Sequence, residues 1–172
     1  MSSSPTGATR ILAIDPATRG FGFAVLEGSQ RLIDWGVKDT KTDKKRRTLK
    51  LVGELIEWYR PGVIVLEDTS TQASRRCSRV TRLIDEIAQL ALKSNVRVKR
   101  ISKGKVKEVF AECPAQTKCE IALGIAKRFP ELAPRVPPFR KPWMSEDYRM
   151  SIFDAVGFGL TFFEPKPLAS LN

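Results

Sequence analysis

Ile11-Leu12-Ala13-Ile14-Asp15-Pro16-Ala17-Thr18-Arg19-Gly20-Phe21-Gly22-Phe23-Ala24-Val25-Leu26 sets the architecture of this chain. An apolar run ends in a carboxylate, Asp15. Pro16 and the turn-forming pair Arg19-Gly20 follow, and a second apolar run begins at Phe21. Two such runs about a short turn predict a β-hairpin whose first strand carries Asp15 to its end. Burying a bare carboxylate there is costly unless positive charge balances it. No Lys or Arg lies closer in sequence than Arg19. Two readings stand at this point: Asp15 caps a turn, or it faces a bound cation.

Working outward, residues 31–37 extend the hairpin as a third strand, with Leu32, Ile33, Trp35 and Val37 as its apolar positions. Residues 39–47 are polar and charged and read as a solvated connection. From 48 to 59 the period becomes helical, with Leu49, Val52, Leu55, Ile56 and Tyr59 on one face, and Pro61-Gly62 ends the helix. Val63-Ile64-Val65-Leu66 is a continuous apolar run of the kind found in buried parallel strands, and it too ends in carboxylates, Glu67 and Asp68. A polar loop leads to a helix over 78–93. Arg75, Arg79 and Arg82 follow a spacing of four and three, which is either a solvated face or a phosphate-contacting stripe. Residues 96–101 alternate apolar and basic, as expected of a strand at or near a sheet edge. Ser102 is placed to cap a helix containing Val106, Val109 and Phe110. Pro114 interrupts, a helix over 116–129 follows, and the Pro-rich, basic stretch 130–142 reads as extended.

The closing helix, expected over 145–163, is apolar nearly all round: Ile152, Phe153, Ala155, Val156, Phe158, Leu160, Phe162 and Phe163. Such a helix is buried, and a charge inside it, Asp154, calls for a partner or a metal. Asp147 stands seven residues earlier. On a helix that is about 700°, roughly 20° short of two turns, so both carboxylates would share a face, while Glu146 would lie about 80° further round.

Composition narrows the function. The 172-residue chain suits one domain over 10–164 between a loose Ser-rich tail (1–9) and a short closing tail (165–172). No apolar run approaches a membrane span. Three cysteines (Cys77, Cys113, Cys119) and no His argue against a disulfide framework and a zinc site and fit a reducing, cytoplasmic setting. The excess of 30 Lys and Arg over 19 Asp and Glu, a net charge of +11, points to a polyanionic partner, with nucleic acid favoured over a membrane surface.

The element order, three hairpin-connected strands and then strands alternating with helices, predicts an α/β fold. In such sheets sites gather at strand ends near the switch in strand order. Asp15, Glu67 and Asp154 are therefore expected to meet in one pocket. Clustered carboxylates cannot all stay ionised unaided, and Mg²⁺, with Mn²⁺ able to substitute, is the kind of hard ion that oxygen ligands take. Such ions activate water and stabilise the leaving oxygen of a phosphodiester.

At these same residues the chain resembles RuvC-type Holliday-junction resolvases. The likeness rests on Ile11-Leu12-Ala13-Ile14-Asp15-Pro16 with Gly20-Phe21-Gly22-Phe23, on the apolar strand ending in Glu67, and on the helix carrying Asp154-Ala155-Val156. It implies a ribonuclease H-like fold, with a five-stranded mixed sheet flanked by helices. It implies a homodimer acting on four-way DNA junctions, with Mg²⁺-dependent phosphodiester hydrolysis. By the resemblance Asp15, Glu67 and Asp154 are metal ligands, and Lys107 and Lys118 contact DNA beside the basic stripe of Arg75, Arg79 and Arg82. Two departures stand out. The family usually has an acid or His one turn before the final Asp, where this chain has Ser151, so that Asp147 is the candidate fourth ligand. The family also often has an aromatic soon after the strand-four Glu, where this chain reads Asp68-Thr69-Ser70-Thr71. Alternatives are a nuclease of this fold for other branched DNA or hybrids, and a non-catalytic junction-binding module.

Overall fold

The computed structural model describes residues 8–71, 74–111 and 117–164. Cys113, Pro114, Pro165 and the expected tails before residue 8 and after 164 lie outside the described residues. Strands β1 (Arg10–Ala17) and β2 (Gly20–Glu27) form the expected hairpin, paired in full from Arg10↔Glu27 to Ala17↔Gly20. The two-residue turn is Thr18-Arg19, one position earlier than Arg19-Gly20. Gly20 takes φ 151°, a conformation open to glycine, and a side chain there would run into the Lys38 carbonyl. β3 (Leu32–Asp39) pairs antiparallel with β2, with a register shift at Val25/Leu26. β4 (Val63–Glu67) and β5 (Arg97–Ile101) add in parallel, giving the order β3-β2-β1-β4-β5. The alternating strand, β5, is an edge as its pattern predicts.

β1, β2 and β4 are apolar on both faces because helices cover both. Leu12, Ile14, Phe21, Phe23, Val25, Ile64 and Leu66 pack beneath helices α1 (Lys44–Tyr59) and α2 (Ser78–Lys93). Ile11, Ala13, Ala24, Leu26, Val63 and Val65 pack against α3 (Lys103–Val109), α4 (Lys118–Arg128), a 3-10 segment (Pro130–Arg135) and α5 (Met150–Phe163). Ser102 caps α3 by accepting from the Lys105 N–H at 3.1 Å, and α4 opens on a capping box of Thr117 and Glu120.

Three boundaries differ from the sequence reading. α1 starts at Lys44, so half of the supposed solvated connection is helical. The stretch expected to be extended contains the 3-10 segment. α5 starts at Met150 rather than near 145. There Asp147 accepts from the Arg149 backbone N–H at 2.9 Å, a local turn that competes with helix. Asp147 and Asp154 therefore do not share a helical face; Asp147 sits on the segment leading into the helix.

α5 lies close on the sheet because glycines let it. A side chain at Gly22 would overlap the Ser151 backbone, and one at Gly159 would come within 2.7 Å of the Leu26 side chain. Gly22 is also the β2 partner of Asp15, so this near approach brings the first turns of α5 over the carboxylate end of β1.

Candidate active site

Strand alternation aims the first two carboxylates. On β1, Ile11 and Ala13 face α5, and Asp15 is next in that row. On β4, Val63 and Val65 face the same way, followed by Glu67. The strands are paired Ile11↔Val63 and Ala13↔Val65, so two residues further on Asp15 and Glu67 are neighbours at the carboxyl ends of adjacent parallel strands. Both are buried, 2% and 1% exposed.

Their counter-charge is Arg76, which the sequence reading passed over. Its guanidinium donates from Nε to Glu67 Oε2 at 2.6 Å and from Nη1 to the Pro16 carbonyl at 2.8 Å, and Nη2 donates to Asp15 Oδ1. Burial alone would lower the Arg76 pKa, but the charges of Asp15 and Glu67 outweigh it and hold the group cationic. Asp15 is still short of positive charge. Burial, then the charge of Asp154, push its carboxyl up to about 7, and Arg76, Lys103 and Lys118 offset only part of this.

Asp154 is the one residue of α5 from Met150 to Thr161 that is not buried. It accepts from Lys118 Nζ at 3.1 Å, and the same ammonium donates to Glu146 at 2.7 Å. Burial opposes charge on Lys118, but Asp154 and Glu146 outweigh it and raise its pKa. Lys118 is thus the cation that the apolar helix's carboxylate required, at the start of α4. Glu146, the weaker candidate by helical geometry, joins this pair across 28 residues of sequence. Asp147 is bound to Arg149 through 2.6 and 2.9 Å contacts, which hold its carboxyl below the usual range.

A cleft of about 560 Å³ opens on this set. Asp15, Arg76, Lys118, Glu146, Asp147, Ser151 and Asp154 line it, together with Arg19, Phe139 and Tyr148; Glu67, paired with Arg76, does not line it. Ser151 is buried and donates to the Tyr148 carbonyl at 2.7 Å. Arg19 does not turn to Asp15; its guanidinium lies over the Tyr148 ring, 5.9 Å from the centroid. Lys103, also unmarked in the sequence reading, comes within 3.9 Å of Glu67. Lys107 is exposed and borders a smaller pocket together with Lys103, Lys118 and Asp154. Arg75, Arg79 and Arg82 are exposed. Arg79 and Arg82 line a separate groove with Gly20, Lys44 and Lys45, and Arg75 precedes α2, so helical spacing does not unite all three.

The donor chemistry fits a hard divalent cation: carboxylates, with no His anywhere in the chain. Asp15 and Glu67 already converge on one cation, which places their oxygens within reach of a common point. With Arg76 and Lys118 on the carboxylates, no group of three acidic, His or Cys side chains among the described residues stands in a metal-holding arrangement. An ion at Asp15 and Glu67 and the Arg76 guanidinium would therefore compete for the same oxygens.

No protein-family model matches the chain, and no curated protein matches its sequence. Solved structures do match its fold. The Thermus thermophilus RuvC structure superposes with a TM-score of 0.65 at 19% identity, over 92% of this chain and 99% of that one. T. thermophilus RuvC in complex with Holliday junction substrate gives 0.63 at 18% identity, over 89% and 91%. The yeast mitochondrial Holliday junction resolvase Ydc2 gives 0.61 at 14% identity, over 95% and 81%. The α/β, ribonuclease H-like architecture expected from the sequence is the one observed, with its five-stranded mixed sheet. No helix among the described residues is long and apolar enough to cross a membrane.

Proposed function

We propose that this chain is a metal-dependent, structure-selective endodeoxyribonuclease that cuts four-way DNA junctions. The observation that carries the reading is the convergence of Asp15 and Glu67 on one cation at the carboxyl ends of β1 and β4, with Asp154 of α5 lining the same cleft as Asp15. The fold shared with a protein solved on a Holliday junction and the net charge of +11 support a branched polyanion as substrate.

In this reading Asp15, Glu67 and Asp154 hold Mg²⁺ or Mn²⁺, with Asp147 or Glu146 at the margin. When bound, the ion supplies activation of water and stabilisation of the leaving oxygen. The chain's own groups do the rest. Lys118 orients the Asp154 carboxylate and presents an ammonium at the cleft wall. Lys103 and Lys107 flank it, and Arg75, Arg79 and Arg82 contact phosphates further out. A homodimer would match a two-fold junction with two such clefts. The free thiols of Cys77 and Cys119 suit a reducing, cytoplasmic setting.

The test is cleavage of a synthetic four-way junction with and without Mg²⁺, for the wild type beside Asp15→Asn and Asp154→Asn. Each variant should bind the junction and fail to cut it. Normal cutting by Asp15→Asn refutes the mechanism, and equal cutting of a matched linear duplex moves the substrate to another nucleic acid. A second reading has one observation behind it: Arg76 pairs with both Asp15 and Glu67 without any ion. A non-catalytic junction-binding module would keep that contact permanently, and calorimetry would then find no Mg²⁺ or Mn²⁺ uptake.

A further inference from the structure

The stretch 139–148, most of which lines the cleft, has an unusual surface. Phe139 is 85% exposed, Trp143 77%, and Met144 and Tyr148 about half. These are four of the seven large apolar side chains exposed among the described residues, and they fall within ten residues of one another. Phe139, Met144 and Tyr148 line the cleft directly. Two hydrogen bonds within the segment close a turn between the rings. The Met144 N–H donates to the Lys141 carbonyl at 3.0 Å, and the Arg140 guanidinium donates to the Met144 carbonyl. Cations accompany the rings: Lys141 Nζ lies 5.2 Å from the centre of the Trp143 ring, Arg19 lies over Tyr148, and Arg140 lines the cleft.

Leaving two large aromatic faces in water on a preorganised turn is explained neither by packing nor by the chemistry of the carboxylates. Exposed rings interleaved with Lys and Arg beside a phosphodiester site suit one ligand chemistry, an unpaired nucleotide. Every base has a π face to stack on a ring, and its phosphate pairs with the neighbouring cation. A paired, stacked duplex offers the phosphates but no free base face.

We propose that Phe139 and Trp143 form a base-stacking platform that takes one or two unstacked nucleotides next to the scissile phosphate, with Arg140 and Lys141 on their phosphates. The proposal rests on the nuclease reading for its location at the cut. It names how the cleft selects a branched or opened substrate over intact duplex: bases at a branch point or in a single strand cost less to unstack than those inside a duplex.

The experiment uses the full chain in EDTA, so that binding is read without cutting. A four-way junction carries 2-aminopurine at the crossover, and matched linear duplex and single-stranded oligonucleotides carry it at the same sequence position. Wild type should change the 2-aminopurine fluorescence of the junction and of the single strand on binding. Phe139→Ala/Trp143→Ala should lose that change and bind both at least about tenfold more weakly, as expected for one or two lost stacking contacts. Duplex affinity should be preserved, and so should the melting temperature, because both rings are exposed. Phe139→Tyr/Trp143→Phe should restore the signal. A junction bound with no 2-aminopurine response, or with the same response and affinity in the alanine variant, overturns the platform. So does an equal loss on all three DNAs, which would mean a general contact. If wild type fails to prefer the junction but shows the variant-sensitive response on single strands, the platform stands and the junction reading falls.

Discussion

Removing Arg76 tests whether its guanidinium and a divalent ion share one seat. In Arg76→Gln the carboxylates of Asp15 and Glu67, with side chains 4% and 1% exposed, lose the cation between them. Deleting one partner of a buried pair costs ~3–5 kcal/mol. The lower end applies, because Asp15 already holds its proton up to about pH 7 and escapes further charge by protonating. Among the described residues Glu67 keeps only Lys103, at 3.9 Å. A loss of about 3 kcal/mol lowers the melting temperature of a chain this size by roughly 6–12 °C in EDTA. Adding Mg²⁺ or Mn²⁺ should reverse most of it, since an ion at ~100 times its dissociation constant returns about 2.7 kcal/mol. Wild type should gain less from the same ion, because there the ion must first displace Arg76. Thermal melts of both proteins across an ion titration read this directly, and Mn²⁺ binding followed by EPR reads the affinity without DNA or cutting. A variant as stable as wild type in EDTA refutes the pairing. A destabilised variant indifferent to millimolar ion refutes the shared seat and favours the binding-module reading.

Three further outcomes follow from the same geometry. Because the folded-state pKa of Asp15 is raised from 3.8 to about 7, the stability its proton confers is complete below pH 4 and lost as pH rises through 7. Urea melts in EDTA should therefore find Asp15→Asn gaining on wild type from pH 4 to 7, by up to about 4 kcal/mol, and level above that; a flat difference contradicts the buried, under-compensated carboxylate. Gly22→Ala sets a methyl against the Ser151 backbone, so it should lower stability by about 1–3 kcal/mol and cut cleavage by roughly 100-fold as α5 carries Asp154 off the cleft. Gly53→Ala, in α1 with nothing within 4 Å of the new carbon, should be neutral or stabilising, and an equal effect of the two on cleavage refutes the positioning argument. Junction affinity should fall steeply with salt, and Arg79→Ala and Arg82→Ala should each reduce the log–log slope by about 1; an unchanged slope removes them from the phosphate path.

What the sequence could and could not convey divides along the range of the forces involved. Asp15 and Glu67 were readable because period-2 alternation is local. Once Ile11-Ala13 and Val63-Val65 face one way, the next residue in each row must do the same, and parallel pairing makes neighbours of them. Asp154 was readable because an all-apolar helix must be buried and its one carboxylate must then have a reason. The partners of these acids were not readable. Arg76 lies 61 residues from Asp15, and it precedes α2, whose cap is Cys77. Helical spacing links Arg75, Arg79 and Arg82 and leaves Arg76 out. The usable signal is the unmet charge on Asp15, which demands a cation that no near neighbour supplies, and Arg76, nine residues beyond Glu67, meets it. The helical placement expected of Asp147 differs for the opposite reason. The helical period continues back across Ser145–Arg149 in the sequence, but a short side-chain turn outcompetes it there. The same few residues that resisted prediction are those that must deal with partners outside their own element, the carboxylates across the sheet and, in the reading proposed above, the DNA.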